Sequence, residues 1–123
     1  MKSLRGATTI NVNSETEIRD RILELWDTIL KYNDFSMEDI SSVIFTATKD
    51  IDAAYPGKFV RLERGLTGAS ILHFNEMHVQ GSLPLCLRVL IQLDLPKETE
   101  LVPVYLHEAA SLRPDLRLPE IKS

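Results

Sequence analysis

Residues 85–93, Leu-Cys-Leu-Arg-Val-Leu-Ile-Gln-Leu, constrain the fold more than any other stretch of this chain. Every odd position from Leu85 to Leu93 is aliphatic, and a strand turns alternate side chains to opposite faces. One face of this segment therefore belongs in a core. The other carries Cys86, Arg88, Leu90 and Gln92. An arginine in the middle of such a strand loses hydration on burial, so it needs an anion from the protein or from a ligand. Glu76 and Asp94 are the protein's own candidates.

A single helix is available to cover the aliphatic face. Ile18, Ile22, Leu25, Trp26 and Ile29 fall at helical spacing, with Arg19, Asp20, Glu24, Asp27 and Lys31 pointing elsewhere. Ser14 and Glu17 match a capping box at its start, which predicts an amphipathic helix over 14–33. Four further strands are expected. They are 4–12, interrupted by Gly6, where something approaches the backbone or a bulge forms; 42–48; 70–74; and 102–106, after Pro96 ends the central strand. Ser36 to Asp39 reads as a second capping box opening one short turn. Residues 58–64 read as a brief helix between Tyr55-Pro56-Gly57 and Gly65. The expected fold class is α+β, a mixed sheet packed against one long helix.

With 123 residues, the chain has the length of one domain and can bury a core without disulfides. Its lone cysteine, Cys86, excludes a disulfide framework within the chain and a multi-cysteine zinc site. A formal net charge of −4 argues against a surface-wide nucleic-acid footprint. No apolar run reaches the roughly 20 residues a membrane helix needs, and the first residues lack a hydrophobic signal core. A cytoplasmic protein without membrane or nucleic-acid partners is the expectation.

Few side chains remain for chemistry. His73, His78 and His107 have no metal-ligand spacing, and 65–68 is a turn rather than a phosphate loop. Cys86, in an apolar strand, reads as an inert core thiol. Arg5, flanked by Leu4 and Gly6, is either a surface arginine or a second ligand cation. Lys58 and Arg61 share one side of a short helix, a solvated face or part of a binding wall. Arg113-Pro114-Asp115 is a turn or part of a site. No nucleophile stands beside a base.

In order along nearly the whole chain, these segments resemble the AroH-type, monofunctional chorismate mutases. The matching stretches are Leu4-Arg5-Gly6-Ala7-Thr8-Thr9, Phe45-Thr46-Ala47-Thr48, Asp52-Ala53-Ala54-Tyr55-Pro56 and Glu76-Met77 followed by Gly81. Cys86-Leu87-Arg88-Val89, Val104-Tyr105-Leu106 and Leu112-Arg113-Pro114-Asp115-Leu116 complete the likeness. The resemblance implies a homotrimeric pseudo-α/β-barrel with sites at subunit interfaces. It also implies the Claisen rearrangement of chorismate to prephenate, with no cofactor or metal, on the route to phenylalanine and tyrosine.

The site residues it implies are Arg88 on the ether oxygen and a carboxylate, Arg5 on the pyruvyl carboxylate, and Glu76 on the ring hydroxyl. Tyr105 stands beside the pyruvyl group. Tyr55, Lys58 and Arg61 come from the neighbouring subunit, and Leu112 and Arg113 belong to a closing tail, with 117–123 flexible beyond it. Two positions depart from the family pattern. His73 replaces a cysteine that touches the substrate hydroxyl, and Tyr55 replaces a phenylalanine on the ring. An ordinary histidine titrates near 6.5, so His73 is expected to add a pH dependence near neutrality. Two other readings remain at this stage: an imine deaminase of the Rid type on a similar trimeric fold, and a non-catalytic binder of small ligands.

Overall fold

The computed structural model describes residues 1–115, and the tail expected over 117–123 lies outside them. The elements run β1 (Lys2–Thr9), α1 (Glu15–Tyr32), β2 (Ile40–Ala47), α2 (Pro56–Glu63), β3 (Ser70–Asn75), β4 (Cys86–Leu93) and β5 (Val104–Tyr105). Short 3-10 turns cover Met37–Asp39 and His107–Leu112. The strands form one sheet in the order β3-β2-β4-β1-β5. β4 lies antiparallel to both neighbours, whereas β2 runs parallel to β3 and β1 parallel to β5. The α+β class and the mixed sheet are as expected.

Alternation in β4 holds along its length. Leu87, Val89, Ile91 and Leu93 are buried beneath α1, whose Ile18, Ile22, Leu25, Trp26 and Ile29 are buried against them. Each such side chain contributes about 1.5–3 kcal/mol when fully withdrawn from water, so this layer is the main source of stability. Gly6 marks a close approach rather than a bulge. A Cβ there would lie 2.9 Å from Ile29 Cδ1 and 3.2 Å from the Val104 carbonyl oxygen. α2 supplies the crossover between the parallel pair β2 and β3.

Element boundaries moved for local reasons. β1 starts at Lys2 and ends at Thr9 rather than reaching Val12. The chain turns there because the Asn11 N–H donates to Glu17 Oε1 (3.0 Å). That bond also halves the expected capping box: Ser14 Oγ accepts from the Glu17 N–H (3.1 Å), while the Glu17 carboxylate serves Asn11 instead of Ser14. At Ser36 the turn is tied as expected, with its N–H donating to Asp39 Oδ2 (2.9 Å). α2 begins at Pro56 rather than Lys58, since proline's fixed φ suits the first helical position. β5 shrinks to Val104–Tyr105. Beyond it the Leu106 N–H donates to the Ala7 carbonyl, and the 3-10 turn takes over.

Candidate active site

Register across the sheet decides which side chains can meet. Arg88 on β4 stands opposite Ala7 on β1 and Thr46 on β2, and Arg5 stands opposite Leu90. Directly paired residues share a face, so Arg5, Thr46 and Arg88 all lie on the face away from the helices. Tyr105 pairs with Ala7 and joins them. Glu76 arrives from the end of β3, where its N–H donates to the Ala47 carbonyl (2.8 Å). Arg5, Thr46, Glu76, Arg88 and Tyr105 line one cavity of about 150 Å³.

The electrostatics of this pocket are unfinished. Arg88 Nε is buried and without a hydrogen-bond partner, 3.7 Å from Glu76 Oε2. Of the two carboxylates considered for Arg88, Glu76 is the one that faces it, at a distance too long for a hydrogen bond. Arg5 makes no ion pair with any described residue. Cys86, beside Arg88, is buried, and burial pushes its thiol up. That makes it the inert core residue expected.

The closing segment reaches the same side of the molecule. Leu112 packs with Tyr105 on Ala7, Cys86 and Ala109. Arg113 lines a cavity of about 330 Å³ with Arg5 and Tyr105. Its guanidinium donates to Asp115 (3.1 and 3.2 Å), which raises the arginine above its usual value and lowers the carboxyl.

A second group gathers elsewhere. His73 pairs in register with Phe45, which is fully buried beneath the helices, so the imidazole sits on the helix side of the edge strand. It stacks on Phe45 (5.4 Å between centroids) and tilts against Tyr55 (5.0 Å). Tyr55, Lys58, Arg61 and His73 line a cavity of about 460 Å³ at the head of α2. Lys58 reaches Glu15 at 3.4 Å across solvent, and Arg61 is exposed.

Within one subunit, then, the expected residues fall into two sets on opposite faces of the sheet. His73 differs from its expectation in one respect. Its Nε2 accepts the Gly57 N–H (3.0 Å), and desolvation lowers its pKa below 6.5. Burial thus shifts its titration further to the acid side, away from the near-neutral dependence expected.

The comparisons with known proteins agree over nearly the whole chain. Residues 1–116 match the family model described as chorismate mutase type I. The chain belongs to the type I chorismate mutase family. Chorismate mutase AroH of Bacillus subtilis is 35% identical over 120 residues, covering 96% of this chain and 94% of the relative. Its counterpart from Thermus thermophilus is 36% identical over 119 residues, covering 94% and 96%. Among solved structures, a chorismate mutase from Clostridium thermocellum superposes with a TM-score of 0.85 at 36% identity, over 90% of this chain and 99% of that one.

One polar residue of this type I chorismate mutase pocket escaped the sequence reading. Thr46 sits between Phe45 and Ala47 in an ordinary strand, and only its pairing with Arg88 brings it into the pocket. Alternation places Thr46 opposite in facing to the core residue Phe45, which was the one available signal.

Proposed function

We propose that this chain is a chorismate mutase, an isomerase that carries out the Claisen rearrangement of chorismate to prephenate in a site shared between subunits of a homotrimer. The convergence of Arg5, Glu76, Arg88 and Tyr105 on one pocket is the observation that carries the reading. The reaction is intramolecular and calls on no nucleophile, proton shuttle, metal or cofactor. The protein has to fold a flexible dianion into its reactive conformer, which is catalysis by orientation. It also has to stabilise the negative charge that builds on the ether oxygen as the C–O bond breaks.

Arg88 takes that second task. Its Nε is buried, unpartnered and carried on the central strand, a placed donor for developing charge, although the side chain as a whole is 42% exposed. Arg5 holds the pyruvyl carboxylate beside Tyr105, and Glu76 accepts from the ring hydroxyl. Lys58, Arg61, Tyr55 and His73 form the opposing wall from a neighbouring subunit, His73 through its ring and its free Nδ1–H. Leu112 and Arg113 close the mouth over Arg5 and Tyr105.

Two observations support a shared site. A cavity of about 150 Å³ is smaller than the roughly 300 Å³ at which ligand pockets begin, so another surface has to complete it. The face around it also exposes Leu72 (55%) and Phe74 (53%), which isolated proteins rarely leave as a contiguous apolar patch. A second copy of the chain would cover both. No described helix is long and apolar enough to cross a membrane, in keeping with an enzyme acting in the cytoplasm.

Family membership removes the Rid-type alternative. The non-catalytic alternative is decided by incubating purified protein with chorismate and following loss of its ultraviolet absorbance, with prephenate identified as product. Consumption of chorismate at a rate set by enzyme concentration is expected. Binding without consumption would leave a ligand-binding protein.

A further inference from the structure

We propose that Thr46 is a positioning residue for the catalytic pair. Its hydroxyl pins one oxygen of Glu76 and keeps that carboxylate from closing onto Arg88, which leaves the guanidinium's donors free for substrate. The functional consequence rests on the chorismate mutase reading above; the geometry does not.

Thr46 stands directly across from Arg88 in the β2–β4 register, on the same face. Its Oγ1 donates to Glu76 Oε2 at 2.5 Å. The glutamate is thereby held twice, at its carboxylate by Thr46 and at its backbone by the Ala47 carbonyl. Arg88 Nε lies 3.7 Å from that same Oε2 and has no hydrogen-bond partner among the described residues. An unrestrained arginine–carboxylate pair closes to about 2.8 Å and becomes bidentate where it can. The gap therefore marks a carboxylate held back from its neighbouring cation. Threonine suits the task because branching at Cβ stiffens χ1, so the strand itself aims the hydroxyl.

Oε2 is occupied by Thr46, and Oε1 has no partner among the described residues, so Oε1 remains to accept from a substrate hydroxyl. If Glu76 instead swung onto Arg88, the present 3.7 Å ion pair would close into a hydrogen-bonded one that occupies the guanidinium's donors in the ground state. That pair would then have to be loosened before the donors could follow charge onto the ether oxygen. Such a penalty appears in kcat more than in KM.

The test compares Thr46→Val, which keeps the shape and loses the hydroxyl, with Thr46→Ser, which keeps the hydroxyl. Thr46→Val is expected to lower kcat about 10- to 100-fold, the scale of a lost hydrogen bond to a charged group, with a smaller change in KM. Thr46→Ser should stay within about threefold of the parent, because the hydroxyl is retained and only χ1 stiffness is lost. In a Glu76→Ala background, Thr46→Val should change kcat little, since the group it positions is gone.

An equal loss in both backgrounds, or an unchanged kcat in Thr46→Val, would overturn the proposal. Thr46→Ala carries the same comparison should the valine variant not fold. A readout independent of turnover is solvent exchange of the Arg88 Nε–H by NMR, which should slow in Thr46→Val as the ion pair closes. Unchanged exchange refutes the restraint even in a protein that converts no chorismate. Slowed exchange in an inactive parent upholds the restraint and refutes the activity.

Discussion

The pocket on the open face and the corner at the head of α2 each hold two cations, beside Tyr105 in the first and beside Tyr55 and His73 in the second, yet they present them differently. Arg88 projects from the central strand of five, fixed by ladder bonds on both sides, with Nε buried and unpartnered. Lys58, in the first turn, and Arg61, in the last turn, project from an eight-residue helix into solvent, and Lys58 already leans toward Glu15. A guanidinium carried on a central strand, its Nε shielded although its side chain is 42% exposed, can stabilise charge that appears during a reaction. A cation on a flexible stem in water can capture and orient a carboxylate. On the proposed function, Arg88 in the pocket does the transition-state work, and the corner adds its cations to the substrate placement that Arg5 and Glu76 begin.

The largest effect that could break this division is at Arg88. Arg88→Lys keeps the charge but loses the planar fork that addresses an ether oxygen and a carboxylate together. We expect kcat to fall at least ~100-fold, with a smaller change in KM and an intact oligomer. An Arg88→Lys protein that retains kcat but unfolds or dissociates would make Arg88 a structural ion and remove the contrast.

Subunit mixing tests whether the two regions serve one site. Arg61→Ala and Arg88→Ala are each expected to be nearly inactive at low chorismate. If a site takes Arg88 from one subunit and Arg61 from the next, equal mixing with full exchange leaves about one quarter of sites intact. Activity should rise toward that fraction of the parent. No recovery after exchange is verified by native mass spectrometry would separate the two regions.

The corner should be more sensitive to packing than to charge. A Cβ at Gly57 would lie 2.7 Å from His73 Nε2 and 2.8 Å from Phe45 Cε2, and Phe45 is fully buried. Gly57→Ala is therefore expected to cost about 1–3 kcal/mol, read as a lower thermal midpoint, by overpacking. An unchanged midpoint would show that the helix head shifts freely.

The smallest effect is the pH response of the same contact. Desolvation lowers the His73 pKa below its unfolded value of 6.5, so the unfolded chain binds the proton more readily. This contribution to stability is complete above pH 6.5 and is lost as pH falls through the folded value. Protonation also removes the acceptor for the Gly57 N–H. The groups around the ring are Asp52 and Tyr55 from the preceding loop and Lys58 and Arg61 from α2. His73→Gln retains an acceptor without titrating, so its stability should fall less between pH 6.5 and 5 than the parent's. Identical acid profiles would make His73 a passive wall.

Local rules reach a definite depth in this chain. The aliphatic alternation of 85–93, the helical spacing from Ile18 to Ile29 and the turns at Ser36 and Gly65 each depend on residues a few positions apart, so the sequence alone specified the β4 face, α1 and the layer between them. The likeness in Arg5-Gly6-Ala7-Thr8-Thr9 and Leu112-Arg113-Pro114-Asp115 named the family in the same direct way. Strand register is different in kind. It depends on which backbone amides meet across the sheet, and a shift of one residue reverses every side chain. Only the tertiary structure could therefore put His73 on the helix side with Phe45, Thr46 on the open side with Arg88, and the Glu76 carboxylate 3.7 Å from a cation with which it forms an ion pair but no hydrogen bond.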